Sequence, residues 1–156
     1  MKAKYSLLPL GFIAFCLVAG AQAAENVVTP PMVGDWRGSA RIVVIWTRQT
    51  NLPVNVRISS DATVTGQVGD ATLLNGRLSK NRGWIGRKLN LATDYIITGD
   101  LSGAVIAAEG IKRDRVLIPV NFTGTNFTGG VHTSGSKMGG KEHMILSAGG
   151  LKLRKE

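Results

Sequence analysis

The sequence predicts an all-β domain: a small antiparallel up-and-down barrel of about 8–10 short strands, with a β-sandwich as the alternative fold. Three observations predict it. Apolar residues alternate with polar ones in run after run, as in Val54, Val56 and Ile58 against Asn55, Arg57 and Ser59. Turn pairs such as Ser60-Asp61, Gly69-Asp70 and Ser102-Gly103 separate the runs. No stretch after the N-terminus holds a helical period for more than a turn or two.

Residues 1–23 read as a secretory signal peptide. Lys2 and Lys4 supply the positive start, Leu7 to Val18 the apolar segment, and Ala21-Gln22-Ala23 the small-x-small cleavage pattern. The apolar run is short for a membrane span, and no basic stop-transfer cluster follows it. Phe15 precedes Cys16 where a lipoprotein signal places a small residue. Export of a bacterial protein to the periplasm or the medium is therefore expected. Removing residues 1–23 from the 156 leaves 133, enough for one domain with a real core. The single cysteine leaves with the signal, so the mature chain has neither disulfide nor thiol chemistry. The sequons at Asn121 and Asn126 carry no meaning in a bacterial chain. Of the 19 Lys and Arg residues, Lys2 and Lys4 also leave; 17 against 10 acids give the mature chain a charge of +7. Such a protein attracts anionic partners or simply stays soluble.

Residues 24–33 are expected to form an extended leader, and 34–156 the barrel. The opening strand runs from Gly34 to Trp46. Trp36, Gly38, Ala40, Ile42, Val44 and Trp46 share its inner face, and Val43 and Ile45 make its outer face apolar in the middle. That middle calls for cover on both sides. Strands follow at Val54–Ile58, Thr63–Val68, Ala71–Leu78 and Tyr95–Leu101. Ala104 to Ile111 reads as a strand between glycines. Val116, Ile118, Val120 and Phe122 line another, with Pro119 on its opposite face marking an edge or a bulge. Phe127–His132 comes next. Thr133 to Lys141 reads as a mobile Gly/Ser-rich loop. The chain closes with Met144–Ser147 and Leu151–Arg154, broken or bulged at Gly149-Gly150. Thr-Gly recurs at Thr65-Gly66, Thr98-Gly99, Thr123-Gly124 and Thr128-Gly129, a rhythm suited to sharply bent strands.

Two motifs resemble those of the lipocalins and the wider calycin group. Gly34-Asp35-Trp36 is similar to their Gly-x-Trp on the first strand, a motif shared with avidin-like barrels. Thr93-Asp94-Tyr95 is similar to their Thr-Asp-Tyr late in the barrel, and Arg154 stands where that family places an arginine over the tryptophan. The resemblance implies a closed antiparallel barrel with a cavity for a small hydrophobic ligand. The chain departs from the pattern in being short, in lacking an evident C-terminal helix, and in having many strands after Thr-Asp-Tyr.

Two candidate sites follow. The barrel interior, lined by Trp36, Trp46, Val44, Val56, Tyr95 and Phe122, suits a small apolar or amphipathic ligand if it is not simply a filled core. The segment Arg77, Lys80, Arg82, Trp84, Arg87 and Lys88 sets cations around an indole without an acid among them. It suits an anionic lipid or glycan, the alternative being a solvated loop whose tryptophan tucks into the core. Nucleic acid would use similar chemistry, but export makes it a poor partner. His132 and His143 show no ligand spacing with a carboxylate, and no nucleophile elbow, phosphate loop or dinucleotide fingerprint is present, so no metal, cofactor or catalytic residue is expected. The function expected is non-enzymatic binding of a small apolar or amphipathic ligand or of an anionic envelope component. The alternative is a protein-interaction module, such as an inhibitor of an exported enzyme; a hydrolase or isomerase with an unseen arrangement comes third.

Overall fold

The computed structural model describes residues 27–43, 49–81, 93–103, 105, 112–136 and 142–156, with the backbone alone at 136 and 142–145. Residues 1–23, expected to be a signal peptide, residues 44–48, which include the expected end of the opening strand, residues 82–92, most of 104–111, and residues 137–141 of the expected Gly/Ser-rich loop lie outside the described residues. Eight strands close into a barrel: β1 (Gly34–Ile42), β2 (Asn51–Ile58), β3 (Thr63–Val68), β4 (Ala71–Lys80), β5 (Tyr95–Ser102), β6 (Arg115–Phe122), β7 (Asn126–Ser136) and β8 (Glu142–Lys155). Each is antiparallel to the next, and β8 returns to pair with β1. The up-and-down barrel is thus the fold, and the sandwich is excluded.

Period two does most of the positioning. On β2, Leu52, Val54, Val56 and Ile58 are buried while Asn51, Pro53 and Arg57 are exposed. The turns follow their local chemistry. Gly69 takes φ 67° between β3 and β4. Between β2 and β3 the Asp61 carboxylate accepts hydrogen bonds from the Thr63 backbone N–H at 3.0 Å and its hydroxyl at 2.8 Å. These bonds hold the Asp61 pKa below its ordinary value.

The Thr-Gly rhythm has a steric basis. Gly66, Gly99 and Gly129 occupy inward positions on β3, β5 and β7, as do Gly38 on β1 and Gly76 on β4. A methyl group at Gly38 would sit 2.8 Å from the Lys152 carbonyl carbon. At Gly129 it would sit 2.9 Å from that of Pro119. Neighbouring backbone occupies the space a side chain would need, which is how a small barrel turns its corners. The fourth member of the rhythm, Gly124, serves the β6–β7 turn at φ 82°.

Several elements differ from expectation for identifiable reasons. Residues Pro30–Met32 form a 3-10 turn rather than an extended leader. Met32 and Val28 are buried in the core at the barrel end, an apolar gain that draws the leader inward. Val43, after β1, is 60% exposed, so the outer wall is uncovered at that point. Pro119 lies within β6 in a closed barrel, not at an edge. It pairs with Ile96 of β5, while on the β7 side the pairing skips from Leu117↔His132 to Val120↔Gly129, so its missing N–H falls where the ladder is interrupted. Thr133 to Ser136, expected as part of a loop, continue β7, with Thr133 pointing inward between Val116 and Leu146. The expected bulge at Gly149-Gly150 is present: the β1–β8 register shifts there and Gly150 has φ 65°.

Candidate functional site

The opening tryptophan closes one end of the barrel. Trp36 is 1% exposed, and its indole N–H donates to the Met32 carbonyl at 2.8 Å. Its ring meets Phe127 edge-on at 4.7 Å and Phe122 at 6.0 Å, and those two rings lie 4.8 Å apart. Such arrangements match the aromatic quadrupoles. Lys155 places its ammonium 5.8 Å from the Trp36 centroid and donates to the Pro31 carbonyl at 3.1 Å. The cation over the tryptophan is therefore Lys155. Arg154 points outward and is exposed, because period two on β8 gives the inner position to its neighbour.

Of the interior residues expected to hold a ligand, Trp36 pairs with Val56 across β1–β2, Phe122 stacks beside them, and Tyr95 is half-buried at the start of β5. Val44 and Trp46 lie outside the described residues. Val54, Val68, Ile97, Ile118, Val131 and Leu153, one from each of six strands, are all 0% exposed. A ligand-sized cavity would let a water-sized sphere touch the side chains lining it; these touch none. The interior around them is packed as core.

The basic segment is only partly described. Arg77 is exposed on the outer face of β4 between Thr63 and Thr98, and Lys80 is half-buried at the strand end opposite Tyr95. Arg82, Trp84, Arg87 and Lys88 lie outside the described residues.

A second basic surface emerges from barrel closure. Arg37 and Arg41 project outward from β1. Arg154 and Lys152 project outward from β8, directly opposite Arg37 and Ser39. All four cations are exposed. The flanking strands offer neutral neighbours: Asn51, Pro53 and Asn55 on β2, Asn126 and Thr128 on β7. Among the described side chains beside this wall, acids enter at one end, Asp35 and Glu156, and both are engaged. Glu156 meets Arg37 at 2.9 Å, and Asp35 accepts from the Arg57 Nε–H at 2.7 Å. The Arg57 hydrogen bond holds the Asp35 carboxyl below its ordinary pKa, and Asp35 raises that of Arg57. Among the described residues, Arg41, Lys152 and Arg154 have no acidic partner. A shallow cleft of about 330 Å³ lies beside Arg37, at the end of the wall away from Arg41, and is lined by Asp35, Arg37, Asn55, Arg57, Thr65 and Glu156, with the Asn55 side-chain oxygen buried without a hydrogen bond. The spacings Arg37-x-x-x-Arg41 and Lys152-x-Arg154 are the sequence signal for this wall, legible only once β1 and β8 are known to be neighbours.

Among the described residues no group of three metal-ligating side chains converges. His132 lies on the outer face of β7, half-buried, with its Nδ1 3.0 Å from the Ser147 hydroxyl. Burial lowers its pKa, favouring the neutral ring. No family model matches the chain, and neither a curated protein nor a solved structure does.

Proposed function

We propose that this is an exported, non-enzymatic binding protein that uses its barrel as a rigid scaffold and its outer wall to engage an anionic component of the cell envelope. The observation that carries this reading is the cluster Arg41, Lys152 and Arg154, with Arg37 beside it, on adjoining strands where, among the described residues, no acid neutralises three of the four. Like charges side by side on a sheet oppose folding. An arriving phosphate, sulfate or carboxylate surface reverses that effect and draws the basic wall toward it. The packed interior supports binding at the outer surface over binding of an apolar ligand inside. The same observation keeps a second reading in view, in which the wall docks an acidic protein, such as an exported enzyme that it inhibits.

Vesicle co-sedimentation tests the proposal. The mature protein is expected to bind vesicles rich in phosphatidylglycerol, to ignore phosphatidylcholine vesicles, and to dissociate as salt is raised. A sulfated polysaccharide column distinguishes a glycan source from a lipid one. Reversing Arg41, Lys152 and Arg154 to Glu should weaken binding by at least about a hundredfold, at about fivefold per cation. Binding unchanged by that triple variant, but lost on Trp84→Ala with Arg82→Glu and Arg87→Glu, would transfer the role to the 77–88 segment. No binding to either polyanion would leave only the protein-docking reading.

A further inference from the structure

Around the barrel from the basic wall, the outer face of β4–β7 holds a concavity of about 480 Å³ lined by Asn75, Thr98, Asp100, Arg115, His132 and Ser134, with Leu117 among them. That volume is in the range of small-molecule sites. It is also unexpected on the convex side of a sheet. The register explains how one site draws on four strands. Thr98, Leu117, His132 and Ser147 form one cross-sheet row, and Asp100, Arg115 and Ser134 the next. Asn75 enters from a bulge in β4, where the pairing with β5 slips between Leu74 and Arg77 and Asn75 itself adopts φ 52°. A non-glycine residue held in that region costs stability, and bulges of this kind re-aim side chains at sites.

The polar groups are pre-set. The Asn75 side-chain amide donates to one Asp100 carboxylate oxygen at 3.0 Å, which fixes the carboxylate. Among the described residues the other oxygen has no partner. The Ser147 hydroxyl engages His132 Nδ1 at 3.0 Å, leaving Nε2 for a ligand. Burial keeps the imidazole neutral near pH 7. The two rows together combine a fixed acceptor, a neutral ring nitrogen, the Thr98 hydroxyl, a guanidinium and the half-buried apolar side chain of Leu117.

We propose that this cleft is a binding site for a neutral, hydroxyl-rich ligand, a mono- or disaccharide unit. A sugar's hydroxyls both donate and accept, so one can donate to the open Asp100 oxygen while another meets His132 Nε2. A sugar's C–H face can rest on Leu117. An anion there would meet the Asp100 carboxylate and a cation the Arg115 guanidinium, so either is disfavoured. The site is independent of the basic wall, and each can fail without the other.

Two-dimensional amide NMR of the mature protein, titrated with maltose, cellobiose and galacturonic acid, tests this. Saturable shifts are expected at the amides of Asn75, Asp100, Arg115, His132 and Ser134 with at least one neutral disaccharide. A Kd on the order of 1 mM is expected, with weaker binding of the acid. Asp100→Ala should weaken binding about tenfold or more. Asn75→Gly suits the left-handed backbone, so it should keep or raise Tm while loosening Asp100 and weakening binding severalfold. The Arg41, Lys152 and Arg154 charge reversals should leave this titration unchanged. The proposal is overturned if none of the three sugars gives saturable shifts, if the shifts map elsewhere, if galacturonic acid binds best, or if both cleft variants bind as wild type.

Discussion

Replacing Gly129 with alanine should force the barrel wall apart between β6 and β7. The added carbon would overlap the Pro119 carbonyl oxygen and lie 2.9 Å from its carbon and 3.0 Å from Val120 Cα, all of them backbone atoms that no rotamer change can move. Comfortable carbon contacts need about 3.5–4.0 Å, so the strands must separate by on the order of 1 Å. That displacement stretches the adjoining ladder bonds beyond useful geometry. Losing two or three of them, together with the overpacking strain, amounts to a destabilisation of about 3–5 kcal/mol. The same substitution elsewhere provides internal controls. Gly149 has nothing within 4 Å and no positive φ, so Gly149→Ala should be neutral or stabilising by up to about 1 kcal/mol. Gly103 also has open space but sits at φ 102°, so Gly103→Ala should cost about 1–3 kcal/mol from backbone strain alone. Urea unfolding of residues 24–156, followed by tryptophan fluorescence, ranks the three. If Gly129→Ala lies within about 1 kcal/mol of Gly149→Ala, the corner-glycine account of the barrel is wrong.

Other outcomes follow from the same geometry. Phe127 is fully buried against Trp36 and Phe122, so Phe127→Ala should cost about 3–5 kcal/mol in urea unfolding; a loss under about 1 kcal/mol would mean the cluster is not core. His132 has a folded pKa below its ordinary 6.5, so the unfolded chain takes up its proton first and the stability from the neutral ring is complete above 6.5 and lost as pH falls toward the folded value. Tm should therefore fall between about pH 7.5 and pH 5.5, and more steeply in wild type than in His132→Gln; parallel slopes would refute the assignment. The Asp35 carboxyl is likewise depressed, so its pairing with Arg57 is present above pH 3.8 and lost as pH falls further. In Asp35→Asn the acid limb of a stability profile should lose that component.

Much of the fold was legible because alternation is local. Leu52 to Ile58, Thr63 to Val68 and Val116 to Phe122 each declare an inner face within one run, and Gly69-Asp70 declares a hairpin by its own chemistry. Features set by neighbours in space were harder to read. The 3-10 turn at Pro30–Met32 exists because Trp36 offers the Met32 carbonyl a donor and the barrel end offers its side chain a hydrophobic seat. Thr133 to Ser136 have loop-like composition, yet Thr133 and Ser134 pair on both sides and Gly135 and Ser136 pair with β8. Pro119 signals an edge, and only the interrupted pairing beside Gly129 shows how a closed barrel accommodates it. For the candidate sites, Trp36, Val56, Tyr95 and Phe122 were placed correctly on inner faces. Whether they surround a cavity or one another depends on three-dimensional packing. The basic wall unites Arg37 and Arg41 with Lys152 and Arg154 from the other end of the chain, and the outer cleft is assembled from four strands and a bulge.

The β1–β8 seam also has a temporal consequence. Trp36 pairs with Lys155, so the first strand finds its second partner only when the last one arrives. Ordering a loop of that length costs about 4 kcal/mol on the logarithmic closure law, and such distant pairings slow folding. Until the seam shuts, β1 and β8 are open sheet edges able to recruit a second chain. Arginine and lysine along both edges are a recognised safeguard against such recruitment. Arg37, Arg41, Lys152 and Arg154 therefore serve the unfinished molecule as well as the finished one. Neutralising them should raise the yield of aggregates during refolding, even where the stability of the completed barrel is improved.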